Sequence, residues 1–350
     1  MKRGVGIALF VGTVMTLASG TAGQEANRKK KIIEWGWDSP TTAFVRENID
    51  NMEMMPFDGL VFDLKLSDGT NFTWKMWGAT RYEYSGFKQM VEDLTQTAFK
   101  SFTDRFLRVN ATPGNVDWLD DQAWSVVVDN FSAAAKVAKA GNCKGFMFDV
   151  EQYQDKPFSL AFSINVHKAT REEYRAKVRQ RGRELITAVS QEFPDIVILM
   201  PWAYLASSNQ DYSLLPDFLD GILEAAPPTI MLVDAGEGAY YFKSLGEFEK
   251  LYKVIKEDTA RLSALPEMYR EKVEAGFGIW IDADSNKKGW HQDDSTRNYF
   301  NPNEFKSSVG GALQTSDEYV WIYSQSANWW RGKNIPGAYI DAIKEAKDHK

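Results

Sequence analysis

The sequence predicts an α/β protein built as a single (β/α)8 TIM barrel with long βα loops. Eight short apolar runs, rich in β-branched and aromatic residues, recur along the chain, and amphipathic helical stretches lie between most of them. Strands alternating with helices imply a parallel sheet, and the repeating part has the length of a barrel domain. The runs are Ile32–Trp37, Gly59–Leu64, Phe106–Asn110, Gly145–Val150, Ile196–Trp202, Ile230–Asp234, Gly276–Ile281 and Tyr319–Tyr323. The helical stretches are Thr41–Met54, opened by Ser39-Pro40, then Tyr84–Ala98, Asp120–Ala140, Glu172–Glu192, Tyr212–Ala225, Ser244–Ala264 and Ile340–Asp348. An open doubly wound sheet is the competing topology, but its Gly-rich phosphate turn after the first strand is missing. No internal repeat or low-complexity linker divides the chain, so one barrel is expected over residues 31–346. Asp284–Pro302 is a long polar stretch after the seventh run, placed by this topology on the face where the strands end.

Composition narrows the function. With 44% hydrophobic and 25% charged residues the chain is of globular type, and its net charge of −7 lacks the basic footprint of a nucleic-acid binder. One cysteine, Cys143, excludes an internal disulfide framework and a Cys-based zinc site, and three histidines are few for a His-rich metal hydrolase. Twelve tryptophans are many, and call for a role beyond core filling.

Residues 1–23 are expected to be a signal peptide. Lys2 and Arg3 precede the apolar segment Ile7–Leu17, and small residues follow as far as Gly23, the first choice of cleavage site, with Ala26 second. The segment is shorter than the roughly 20 apolar residues of a spanning helix, and no cysteine follows it to carry a lipid anchor. Export as a secreted or periplasmic protein without a membrane anchor is the expectation.

Strand parity locates a polar barrel mouth. Residues two apart share a face, and a charge on the helix-facing side of a barrel strand would lie stranded in an apolar layer. In Gly145–Tyr153, Phe146, Phe148 and Val150 suit the helix layer, while Met147, Asp149 and Glu151 point inward with the acids at the strand's end. The same logic selects Glu34 and Asp38, Asp63 with Lys65, Arg108 and Asn110, and Trp280 with Asp282. Asp234 ends the sixth run, and Glu237 follows in a Gly-Glu-Gly turn. Tyr319, Trp321, Tyr323 and Gln325 share a face of the eighth.

Several acids, few bases and many aromatics at one end suit glycosidic bond cleavage, in which one carboxyl group protonates the leaving oxygen and another attacks or activates water. The candidate catalytic residues are Glu151, Asp149, Glu237 and its rival Asp234. Candidate substrate-binding residues are Trp35, Trp37, Asp38, Asp63, Asn110, Trp202, Tyr204, Trp280, Asp282, Trp290 and Trp329, the indoles offering flat apolar platforms to sugar rings. Asp38 has an equal alternative at the start of the first helix. Lys65 and Arg108 are read as balancing the acids. Sequons stand at Asn71, Asn110 and Asn130. No cofactor or resident metal is expected, and the partner is a carbohydrate.

The chain resembles secreted glycoside-hydrolase-type (β/α)8 proteins. Tyr319-Val-Trp-Ile-Tyr-Ser-Gln-Ser-Ala-Asn-Trp-Trp330 is similar to the last strand of many such barrels, where a tryptophan closes the floor of the sugar pocket. Gly145–Tyr153 resembles the fourth-strand Asp-x-Glu-x-Tyr signature of chitinase-type glycosidases. That resemblance implies Glu151 as the acid and Asp149 as its partner. The family's additional acids are replaced here by Met147 and Lys144, and Gln152 follows the Glu, so neither that family nor an N-acetyl substrate is assigned.

Three readings follow. The leading one is a secreted glycosidase for a poly- or oligosaccharide, with Glu151 as general acid, Glu237 as nucleophile or base, and Asp149 tuning the acid or orienting substrate. The second is a noncatalytic carbohydrate-binding barrel. The third is a divalent-metal-dependent barrel hydrolase with Asp38, Asp63, Asp149 and Asp282 as oxygen ligands.

Overall fold

The computed structural model describes residues 28–166, 169–284 and 289–348. The expected signal peptide lies outside them. The strands are β1 (Lys31–Glu34), β2 (Gly59–Phe62), β3 (Asp104–Asn110), β4 (Gly145–Asp149), β5 (Val197–Met200), β6 (Met231–Asp234), β7 (Val273–Ala275), β8 (Phe277–Trp280) and β9 (Tyr319–Tyr323). Every pairing is parallel, in the order β7-β6-β5-β4-β3-β2-β1-β9-β8.

The chain is an eight-position barrel whose seventh strand is in two pieces. β7 pairs with β6 and β8 pairs with β9. Only Gly276 separates the pieces, and its N–H donates to the Asp234 carbonyl at 2.8 Å. The break lets one strand hold two neighbours that its twist would otherwise carry apart, and the ring closes through it. The sequence run Gly276–Ile281 therefore marks only the second half of this strand.

The helices are α1 (Thr42–Met52), α2 (Lys88–Gln96), α3 (Asp121–Ala140), α4 (Leu160–Val166), α5 (Arg171–Glu192), α6 (Leu215–Ala225), α7 (Leu245–Lys253), α8 (Pro266–Lys272), α9 (Pro302–Thr315) and α10 (Gly337–Asp348). Their starts carry the expected chemistry. Asp120 caps α3 by accepting the Ala123 N–H, and Thr170 with Glu173 forms a reciprocal capping box on α5. The helix α9 lies in a stretch not anticipated as helical, although Asn301, Pro302 and Glu304 form a complete start signal. No described helix is long and apolar enough to cross a membrane.

Two apolar layers result. Ile33, Val61, Phe106, Met147, Leu199, Val233 and Trp321 fill the barrel, whereas Ile32, Leu60, Leu107, Phe146, Phe148 and Leu232 pack against the helices. Much of the tryptophan belongs to the outer layer: Trp77, Trp118 and Trp124 cluster with Phe131, Phe148, Phe158 and Phe218 at ring separations of 5.2 to 6.4 Å.

Strand parity holds on β3 and β4 and fails on β1 and β6. Ile33 and Trp35 point into the barrel, so Glu34 faces the helices. Val233 and Ala235 point in, so Asp234 faces out. Both acids are fully buried, and burial pushes both carboxyls upward, Asp234 to about 7.

Candidate active site

The barrel mouth holds a cavity of about 170 Å³ lined by Trp35, Gly36, Trp37, Arg108, Glu151, Tyr153, Glu237, Tyr240, Trp280 and Tyr323. Its floor is aromatic. The Trp35 and Trp321 rings lie 4.9 Å apart, and the Trp321 indole N–H donates to the Ala235 carbonyl at 2.8 Å. A Cβ on Gly278 would stand 2.5 Å from the Trp321 ring, so only glycine admits the indole at that place on β8.

Asp149 is wholly buried beneath the mouth and organises it. Its Oδ2 accepts from Arg108 Nη2 (3.2 Å), Asn110 Nδ2 (3.2 Å) and Tyr153 Oη (2.8 Å), and its Oδ1 accepts the Glu151 backbone N–H (2.9 Å). Asn110 also accepts from Arg108 Nε at 3.0 Å. The Arg108 guanidinium stands over the Trp35, Trp37 and Trp74 rings at 4.4 to 5.6 Å from their centroids. Asp149 is held by four donors, and Glu151, two residues on, is the carboxyl that reaches the cavity.

Glu237 comes from the tight turn Glu237–Ala239 after β6. Tyr240 Oη donates to its Oε1 at 2.8 Å. Burial, then the charges of Glu151 and Asp149, push the Glu237 carboxyl up to about 8, against the opposing pull of Tyr240 and Trp202. Glu151 is also raised, first by burial and then by Asp149, with Tyr153 and Arg108 acting the other way. Both carboxyls line the one cavity, so β4 and the β6 turn bring them to one place. The arrangement can hold a proton on one carboxyl beside an ionised one, against apolar ring faces.

Other predicted residues go elsewhere. Trp37 is half exposed and stacks on Trp74 at 6.1 Å and 8°, forming the rim, and Trp280 lines the cavity while donating to Asp282 at 2.8 Å. Trp202 stacks on Tyr212 at 5.2 Å, close enough to Glu237 to influence its carboxyl. Asp282 is buried and is not offered to a ligand: it also accepts the backbone N–H groups of Gln325, Ser326 and Ala327 at 2.6 to 2.8 Å, pinning the loop after β9. Asp38 accepts the Trp329 N–H at 2.9 Å, and α1 is capped by Thr41 instead. Asp63 is buried and accepts from Asn71 at 2.8 Å. Tyr204 is buried in the outer layer, donating to Asp220 at 3.0 Å. Trp329 packs edge-on against Phe57, and Trp290 packs on Tyr339 with its indole N–H on the Asn334 carbonyl. Neither lines the cavity. Lys65 is exposed, leaving Arg108 as the cation that balances the acids. Asn110 and Asn130 are buried and hydrogen-bonded, so the folded chain offers neither as a glycosylation acceptor. Among the described residues no cluster of three or more His, Cys, Asp or Glu side chains could hold a metal ion. The four aspartates of the metal reading are held separately.

Tyr153, Tyr240 and Tyr323 were not among the candidate catalytic or substrate-binding residues, yet all three line the cavity. Tyr153 stands four residues after Asp149 and Tyr240 three after Glu237, spacings at which one turn returns a phenol to the acid. Tyr323 shares the inward face of Trp321.

The architecture is that of a parallel (β/α)8 barrel, with the cavity at the ends of its strands. No family model matches the sequence, and no curated protein matches it. Among solved structures, a Bacteroidetes-affiliated cellulase of glycoside hydrolase family 5 is similar with a TM-score of 0.49 and 11% identity over 92% of each chain. An endocellulase from Pyrococcus horikoshii in complex with cellotetraose gives 0.49 and 9%, covering 91% of this chain and 92% of that one. A family 5 xyloglucanase from Paenibacillus pabuli gives 0.48 and 11%, covering 91% and 98%. These are likenesses of shape, and the reading of the site rests on its own geometry.

Proposed function

We propose that the protein is an exported glycosidase that hydrolyses a poly- or oligosaccharide at the barrel mouth. The observation that carries this reading is the pairing of Glu151 with Glu237 in one aromatic-walled cavity, with Asp149 held by Arg108 and Tyr153 behind them. The expected division of labour is revised. Glu237, the more strongly raised carboxyl, keeps the proton at neutral pH and serves as general acid. Glu151, whose burial is offset by Tyr153 and Arg108, is the carboxylate that attacks the anomeric carbon or activates water. Tyr240 holds Glu237 by one oxygen and leaves the other for the leaving group, and Trp35, Trp37 and Trp280 supply the ring faces that orient the sugar.

The test is release of reducing ends by the purified protein across a panel of poly- and oligosaccharides, beside Glu151→Gln and Glu237→Gln. Turnover by the native chain, lost in both variants, is expected. Binding of a glycan without turnover overturns the enzymatic reading and leaves a carbohydrate-binding barrel.

A further inference from the structure

The wall of the mouth cavity is a nearly unbroken circuit of rings in contact. From the end of β4, the Tyr153 ring meets Trp74 at 5.3 Å, and Trp74 stacks on Trp37 at 6.1 Å. The Trp37 indole is hydrogen-bonded to Tyr323, which stacks on Tyr240 at 5.5 Å, and Tyr240 holds Glu237. Trp280 packs against both of these tyrosines, at 5.3 and 5.8 Å, and Trp35 forms the floor. Among the described residues, none from β5 or its loop lines the cavity. The circuit therefore runs from Glu151 and Tyr153 through the ends of β2, β1, β9 and β8 to Glu237. Its gap lies at β5, between the two carboxyls.

Shape and chemistry both limit what can enter. At about 170 Å³ the cavity is smaller than the roughly 300–1,000 Å³ of pockets that take drug-sized ligands, so it has room for one sugar unit rather than a run of them. The sugar whose anomeric carbon is attacked must lie beside both carboxyls, inside the circuit. An internal unit of a glycan has a neighbour on each side and needs two ways out, whereas a chain end needs one. The phenols and the Trp280 indole donate outward or to the acids, to Asp149, Glu237, Gln325 and Asp282, so the walls offer ring faces. Arg108, the one cation in the lining, is already bonded to Asp149 and Asn110. A sugar carboxylate would meet Glu151 and Glu237 with no cation of its own, which is unfavourable in a confined site.

We propose that the mouth takes a single neutral sugar unit, the non-reducing end of its glycan, so that hydrolysis releases one sugar at a time and the shortened chain leaves through the gap at β5. The release rests on the glycosidase reading above. In it the bond from the anomeric carbon to the leaving oxygen breaks, and that oxygen takes the Glu237 proton. Water supplies a hydroxyl to the anomeric carbon, and its remaining proton restores the acid.

The experiment follows the size of early products, by chromatography, when the full protein acts on the panel of poly- and oligosaccharides. In parallel, glucose, galactose, mannose, xylose, fucose and the glucuronic and galacturonic acids are titrated against tryptophan fluorescence. Single sugars are expected as the early product, with the polymer otherwise keeping its length. At least one neutral monosaccharide should bind saturably, and both acidic sugars at least about tenfold more weakly than the best of them. Trp37→Ala, which removes a half-exposed ring from the circuit, should add di- and longer saccharides to the products. Oligosaccharides of several lengths among the native chain's early products overturn the proposal. So does a folded Trp37→Ala variant that still yields single sugars alone, or an acidic sugar bound as tightly as the neutral ones. If no glycan is turned over, the glycosidase reading fails by itself and the titration decides: saturable binding of a neutral monosaccharide upholds the one-sugar pocket, and its absence overturns it.

Discussion

Glu237 and Glu151 ask the same question of one side chain each: which carboxyl carries the proton. If Glu237 is the acid, Glu237→Gln should lower kcat on a natural glycan by about 10²–10⁴, the usual worth of a positioned acid or base. The loss should shrink on an aryl glycoside whose leaving group needs no proton. Glu151→Gln should be equally damaging on both substrates, and the reverse pattern would return the acid's role to Glu151. The pH profile gives an independent reading. Glu237, raised to about 8, loses its proton above that pH, so kcat/KM should fall on the alkaline side there, while the acid limb follows protonation of Glu151. Asp234 makes a stability prediction instead. Its carboxyl is raised in the folded chain, so folding takes up a proton. Stability is full below the unfolded value near 4, is lost as pH rises towards 7, and is flat above. A rise from 3.8 to about 7, at about 1.4 kcal/mol per pH unit, puts the total loss over that window on the order of 4 kcal/mol. Asp234→Asn, which cannot ionise, should therefore be more stable than the native chain at pH 8 and similar at pH 4. Urea unfolding at the two pH values checks this, and an equal effect at both would show that burial of the charge is not the cause.

At the scale of elements, the seventh strand decides both closure and site. Its two pieces join β6 to β9, and Gly278 on the second piece makes room for Trp321 beneath the cavity. Gly278→Ala would place a methyl 2.5 Å from that indole. The ring must shift and strain its bond to the Ala235 carbonyl, at a cost of about 1–3 kcal/mol for an overpacked core. A lower urea midpoint, with weaker glycan binding as the floor tilts under Trp35, is the expected outcome. An unchanged midpoint would mean that β8 gives way without cost. The loop after β9 depends likewise on Asp282, which holds three successive backbone N–H groups in addition to Trp280. An acid chosen from sequence as a ligand contact is thus the clasp that keeps one wall of the mouth in place.

For the whole molecule, export remains a proposal with a direct test: secreted material should begin at Gln24, and a chain beginning at Met1 would refute cleavage. Within the barrel, the alternation of apolar runs and amphipathic helices determined the architecture, because a strand buried on both faces and a helix buried on one leave different periods in the chain. Tyr319–Tyr323 was legible to the residue, and the inward parity of Asp149 was legible because the flanking Phe146, Phe148 and Val150 suit only the outer layer. Parity failed at Glu34 and Asp234, where it was judged from an acid's own aversion to the apolar layer. The fold buries both acids there all the same. The tryptophans divided for a similar reason: an indole fits a core and a sugar platform alike, and only packing separates Trp77, Trp118 and Trp329 from Trp37 and Trp280. The sequence by itself determined the barrel and the strand-four acids, since both follow from local periodicity. The tertiary structure alone decided that Glu237 joins Glu151 while Asp234 turns away, that Asp282 clasps a loop, and that Tyr153 and Tyr240 bond to the acids of the mouth. Those outcomes depend on twist, on loop paths and on which distant N–H groups reach a carboxylate first, none of which leaves a period in the chain.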